Sequence, residues 1–175
     1  KKVEIKETRI VGYDKGKMAW EIESDYIWSG RNKYLFRIQH LRLGRLYDSD
    51  GKLVLDKIIA DGVRVNSKRK IIIATGNVQA EFLKKEDAPS KDSFFVKANT
   101  MKYFNYNKKA YMTGDVYIER DDLRIQADEV MFNNDKNAFF IEDGFLLQTE
   151  EYLASANSLS VDLDSDEAEL KRKVI

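Results

Sequence analysis

Apolar and polar residues alternate along most of this chain. Phe94, Val96 and Ala98 are separated by single positions, as are Leu123, Ile125 and Ala127, and Tyr152, Ala154 and Ala156. A period of two places such residues on one face of a β-strand. Each run ends on Ala followed by Asp or Asn: Ala98-Asn99, Ala127-Asp128 and Ala156-Asn157, with an earlier copy at Ala60-Asp61. The last three copies are spaced by 29 residues and the first gap is 38. The longer gap contains residues 83–93, LKKEDAPSKDS, a polar stretch with the only proline of the chain, and it reads as a loop insertion.

After each pair the phase slips by one. The next apolar residues are Val63 and Val65, Met101 and Tyr103, Val130 and Phe132, and Leu159 and Val161, three and five positions beyond the Ala. In a regular strand such a slip would turn every later side chain to the wrong face. Its recurrence predicts a bulge or corner that bends the chain while keeping the apolar side inward. Ala suits tight packing there, and Asp or Asn can bond backbone N–H groups where the ladder is interrupted.

The other strand of each unit carries Ile72, Ala74, Gly76, Val78 and Ala80, then Ala110, Met112, Gly114, Val116 and Ile118. Both pass through Thr-Gly-Asx-Val, where glycine tolerates a bulge or a close approach. Asn, Asp and Lys at 105–109 and 133–137 supply turns between strands. The N-terminal part is a more distant version: Met18, Trp20, Ile22 and Ser24 alternate, Ser24-Asp25 stands in for Ala-Asp, and turns fall at 13–17 and 47–52. The expectation is an all-β chain of repeated two-strand units, forming one domain over residues 1–175.

Composition narrows the chemistry. Lys plus Arg equals Asp plus Glu at 30 each, so no net field draws the whole chain to nucleic acid or an acidic membrane, and any such binding must be local. Absence of cysteine removes disulfides and thiolate chemistry. No apolar run approaches the roughly 18 residues of a membrane span, and a start at Lys1 without Met leaves room for an upstream signal or anchor. The single His40 has neither a Cys to serve nor a second His for a metal site, and reads as a strand residue.

Adjacent acids at Asp121-Asp122 and Glu150-Glu151 point to opposite faces of a strand and suit turns better than paired catalysis. Asp61, Asn99, Asp128 and Asn157 lack the regular oxygen neighbours of a calcium site and read as backbone caps. No enzyme activity, metal or cofactor is expected. Tyr103, Phe104 and Tyr106 beside Lys108 and Lys109 have the makings of a base-stacking surface, but charge balance and the strand pattern argue against nucleic acid as a partner.

The unit ANTMKYFNYNKKAYMTGDVYIERDDLRIQAD, with Ala-Asx, an aromatic soon after, a polar turn and then Thr-Gly-Asx-Val, resembles the OstA-like lipopolysaccharide-transport family that includes LptA and LptC. The resemblance runs in repeated form from Ala60 to Leu170, and residues 10–25 are similar to the opening strands of LptC-type members. It implies an open, V-shaped β-jellyroll of two antiparallel sheets in the periplasm of a Gram-negative bacterium. For LptC-type members it implies an N-terminal helix in the inner membrane. The implied role is non-enzymatic: accepting lipopolysaccharide from an inner-membrane ABC transporter and passing it along a bridge of jellyrolls to the outer membrane.

Under that reading acyl chains lie between the apolar inner faces of two splaying sheets. The expected lining is Val63, Val65, Ala74, Val78, Met101, Tyr103, Met112, Val116, Ile118, Ile125, Val130 and Phe132. The same residues would line the dry core of a closed sandwich. Unpaired edge strands invite neighbouring jellyrolls: a bridge protein at the C-terminal strands around Leu159 to Leu170, with Leu159, Val161 and Leu163 as the docking residues, transporter subunits at the N-terminal edge, and head-to-tail copies of the chain itself. The alternatives are a soluble LptA-like bridge protein, an assembly module without lipid cargo, and a carbohydrate-active jellyroll with facing carboxylates.

Overall fold

The computed structural model describes residues 3–83, 93–165 and 167–171. Most of the expected loop insertion at 83–93 lies outside them. Thirteen strands follow one another: β1 (Val3–Asp14), β2 (Lys17–Ser29), β3 (Leu35–Tyr47), β4 (Leu53–Asn66), β5 (Ile71–Phe82), β6 (Phe94–Phe104), β7 (Lys109–Arg120), β8 (Leu123–Asn133), β9 (Ala138–Ile141), β10 (Phe145–Gln148), β11 (Leu153–Ala156), β12 (Ser158–Asp162) and β13 (Glu167–Lys171). Every pairing is antiparallel between sequence neighbours as far as β9.

Two separate sheets were expected, and here the structure differs. All strands belong to one continuous sheet, in the order β1 to β9 and then β12 and β13, with β10 and β11 joined to β8. The reason lies in strand length. Strands of 11 to 14 residues run through the corner with pairing resumed on either side, so the ladder bends without being cut.

Register shifts mark the bend between Glu23 and Ser24, between Leu41 and Gly44, between Thr75 and Val78, between Lys97 and Thr100, and between Thr113 and Val116. In the last full repeat the corner does break the strand. There β9 and β10 pair with successive halves of β8, and β11 and β12 pair with β10 and β9 respectively.

The bend itself is made by Thr-Gly-Asx. Gly76 and Asn77 both have positive φ, +80° and +47°, and Gly114 and Asp115 repeat the pair at +80° and +47°. Two successive left-handed residues carry β5 and β7 around the corner with their inward parity unchanged, while the one-residue slip lies opposite them, after the Ala-Asx pair of the neighbouring strand. The Ala-Asx pair of the neighbouring strand completes the corner: a Cβ on Gly76 would lie 2.5 Å from Asp61 Oδ2, and one on Gly114 would lie 2.8 Å from Asn99 Cβ. His40 (φ +55°) and Lys57 (φ +51°) stand at the equivalent bends of β3 and β4. Ser24 is fully buried at the bend of β2, its hydroxyl donating to the Gln39 carbonyl at 3.0 Å.

Folded along this line, the sheet becomes two layers. The first holds the strand halves next to the β1–β2, β3–β4, β5–β6 and β7–β8 hairpins, and the second holds the halves next to β2–β3, β4–β5, β6–β7 and β8–β9. Phe82 in the first layer stacks on Phe132 in the second, ring centres 4.6 Å apart. A single apolar cluster reaches from Ile22 to Leu163 between the layers.

Candidate functional site

The interior is built from the inward parity of every strand. All twelve side chains expected to line it are buried, from Tyr103, Ile118, Val130 and Phe132 at 0% exposed to Val65 and Met101 at 3%. They belong to one cluster, which the alternation on either side of each corner brings together from β4 to β8. The space left between Trp20, Ile22 and Leu41 of the first layer and Val63, Ala74 and Tyr103 of the second is about 20 Å³, room for about one water molecule. Any lipid chain accommodated here requires the layers to part.

Opposite the corner line the two layers meet again along a polar seam, where hairpins from opposite strand ends touch. Asp14 at the β1–β2 hairpin lies 3.6 Å from Lys70 Nζ and 3.8 Å from Lys108 Nζ, on the β4–β5 and β6–β7 hairpins. Ser49 N donates to Asp135 Oδ1 at 2.9 Å, and Asn134 Nδ2 donates to the Tyr47 carbonyl at 3.3 Å. Asn137 Nδ2 donates to the Leu83 carbonyl at 2.9 Å and to Asp164 Oδ1 at 2.8 Å.

The inner side of this seam is unusually polar for a core. Asn105, Lys108, Asn134 and Asn137 are all buried. Lys108 Nζ donates to Asn105 Oδ1 at 2.9 Å, and the Tyr103 hydroxyl donates to the same oxygen at 3.4 Å while accepting from Asn134 Nδ2. Burial pushes the Lys108 ammonium below its ordinary value against the pull of Asp14, and raises the Tyr103 phenol. Thus the expected lining residue Tyr103 has an apolar ring in the core and a polar tip in the seam.

The outer face of the first layer is neutralised by ion pairs. Glu21, 3% exposed, is covered by Arg9, Arg45 and the Tyr47 hydroxyl. The Arg9 hydrogen bond holds its carboxyl below the usual range, although burial opposes the shift. Arg45 continues to Asp56 at 3.0 Å, and Lys57 pairs with Glu81 at 3.2 Å.

The expected docking residues require a correction. Leu159, Val161 and Leu163 are buried at 3%, 7% and 2% exposed, and β12 is paired on both sides, with β9 and with β13. Their period of two aims them inward, so they offer no free edge. Among the described strands, the C-terminal edges with no further strand beside them are those of β11 in the first layer and β13 in the second. Phe82 and Phe139 were missed as lining residues, although both are fully buried. Phe82 continues the alternation Val78, Ala80 and was within reach of the pattern. Phe139 was not, because it sits on a four-residue strand between a turn and a broken corner.

Among the described residues no group of three His, Asp or Glu stands ready to hold a metal ion. Asp115, Asp128 and Asp143 line an open surface hollow of about 520 Å³ along the corner line. Two of them are corner residues of the repeat, and their place follows from the fold.

Residues 95–175 match the family model described as LptA/(LptD N-terminal domain) LPS transport protein. That match overlaps the stretch from Ala60 to Leu170 on which the resemblance to the OstA-like lipopolysaccharide-transport family rests. No curated protein matches the chain. Among solved structures, one of the similar chains is LptH, the LptA-homologous periplasmic component of the lipopolysaccharide transport device from Pseudomonas aeruginosa. It is 8% identical, over 98% of this chain and 82% of that one, with a TM-score of 0.32. An overlap this loose carries no weight beside the strand pairing described above.

Proposed function

We propose that this chain is a component of the periplasmic lipopolysaccharide transport machinery and holds the acyl chains of its cargo between the two layers. The observation that carries this reading is the transport-family match over residues 95–175, from β6 onward, which hold eight of the twelve expected lining residues. The architecture is compatible with it: a continuous apolar surface runs the length of the molecule between faces joined covalently only at the corner line. Parting the seam exchanges side-chain contacts for contacts with acyl chains of similar polarity, so the hydrophobic cost of opening is returned by the cargo.

The finer place in the machinery is LptC-type. In that role the free edge of β1 meets the inner-membrane ABC transporter, and the edges of β11 and β13 meet an LptA-like bridge protein by strand addition. A soluble LptA-like bridge role uses the same edges with a second jellyroll at each end.

The test is a photoreactive residue at Met112 or Val116 in cells that make lipopolysaccharide, with the outward Tyr117 as the comparison site. Crosslinks to lipopolysaccharide from the inward positions are expected. Failure at every inward position would defeat the proposal. One observation favours a second reading, an assembly module with a dry core: the apolar hollow between Trp20 and Tyr103 holds only about 20 Å³. That reading predicts concentration-dependent oligomers by light scattering and no lipid uptake.

A further inference from the structure

The chain is neutral overall, yet its charges are sorted by layer. Residues 26–39, 62–75 and 99–113 carry ten Lys or Arg and no Asp or Glu. These three stretches are the β2–β3, β4–β5 and β6–β7 hairpins with their adjoining strand halves, which together make the middle of the second layer. Their turns stack side by side: Ser67 N donates to the Tyr34 carbonyl at 2.9 Å, and Asn105 N to the Lys70 carbonyl at 2.9 Å. Lys70 and Lys108 turn to Asp14 at the seam. Arg31, Lys33, Arg37, Arg64, Lys68 and Arg69 are exposed, and among the described residues none of them is in an ion pair. In the first layer, by contrast, Arg9, Arg42, Arg45, Lys57 and Arg124 are each paired with a carboxylate.

Apolar and aromatic residues are interleaved with these cations on the same outer face. Strand register aligns Trp28, Arg37, Arg64, Ile73, Lys102 and Tyr111 in one row across β2 to β7. The next row toward the hairpin tips runs Leu35, Asn66, Ile71, Phe104 and Lys109. Lys68 Nζ sits 5.5 Å from the centre of the exposed Tyr34 ring. Trp28, Arg31, Leu35 and Arg37 surround an open hollow of about 640 Å³. The field is bounded on the β8 side by the exposed Glu129, which stands opposite Thr113 in the β7 register.

We propose that this outer face of the second layer docks on an anionic phospholipid bilayer. The cations meet headgroup phosphates, while Trp28, Tyr34 and Leu35 enter the interfacial zone where amphipathic rings and short apolar tips gain from partial burial. A soluble polyanion would satisfy the cations alone and leave the apolar rows in water. The surface lies outside the interior and does not depend on the transport reading.

The test is co-sedimentation of the full chain with vesicles of pure phosphatidylcholine and with vesicles of equal parts phosphatidylcholine and phosphatidylglycerol, as salt is raised. Binding is expected only to the second kind, weakening with salt. Each cation near an anionic surface contributes about fivefold in affinity, so the triple variant Arg37→Glu, Arg64→Glu, Lys68→Glu, which reverses three charges, is expected to bind at least about 100-fold more weakly. Lys52→Glu and Lys97→Glu, exposed on the first layer, are expected to bind as the parent does. Equal binding to both vesicles, or none, overturns the proposal, and both results are read on the parent chain without any variant. Retained binding by the triple variant also overturns it. So does full competition by heparin together with indifference to Tyr34→Ala and Leu35→Ala, which would assign the face to a soluble polyanion.

Discussion

Replacing Gly114 by Ala tests the corner on which the two-layer arrangement rests. Two separable penalties follow from the structure. An L-residue held at φ +80° costs about 1–2 kcal/mol relative to its ordinary conformation. The added methyl group would also lie 2.6 Å from Asn99 Nδ2 and 2.8 Å from Asn99 Cβ. The amide can swing aside, but the Cβ is fixed to the β6 backbone, so the strand must shift, at roughly 1–3 kcal/mol for an overpacked site.

The total, about 2–5 kcal/mol, is a large share of the roughly 5–15 kcal/mol that holds a domain together. In urea the midpoint should fall by on the order of 1–2 M with an unchanged slope. The double variant Gly114→Ala, Asn99→Gly removes the crowding and leaves the backbone term, so a double-mutant cycle should return a favourable coupling of about 1–3 kcal/mol. Gly30→Ala is the control, since its Cβ would meet nothing within 4 Å. A midpoint for Gly114→Ala indistinguishable from the parent, or a coupling near zero, would refute the reasoning.

Two further outcomes follow. Phe82→Ala removes the one ring stacked against both Phe132 and Phe139, at 4.6 and 5.7 Å, and should destabilise by about 3–5 kcal/mol in chemical denaturation; a loss below about 1 kcal/mol would mean that the layers are not clamped there. Glu21 has a lowered folded-state pKa, so it contributes stability above the ordinary carboxylate value that is lost as pH falls through the folded one. Acid titration of stability should therefore be shallower in Glu21→Gln than in the parent below that ordinary value, and equal slopes would contradict the Arg9 and Tyr47 contacts.

The repeat was legible because it is written in side-chain size and polarity. Alternation before each Ala-Asx pair and its slip afterwards identified the inward residues, and the twelve expected to line the interior are buried. The same alternation misassigned Leu159, Val161 and Leu163, because an apolar strand near a chain end looks alike whether it is the edge or the strand beside it. Edge status depends on whether β13 pairs with it, a contact between segments that neither segment spells out alone. Gly76-Asn77 and Gly114-Asp115 were visible as a motif, yet their two positive φ values are a backbone property that Thr-Gly-Asx permits and the neighbouring Asx selects.

Local periodicity thus determined strand content, inward parity, the positions of the corners and the turn chemistry, since each depends on residues a few positions apart. Tertiary structure alone decided that one sheet makes both layers, that hairpins from opposite strand ends close a polar seam over Lys108 and Asn134, and that the charges of a neutral chain separate by layer. Those outcomes join residues as far apart as Ser49 and Asp135. They depend on how the corners add up over many strands, and a pattern of short period carries no record of that sum.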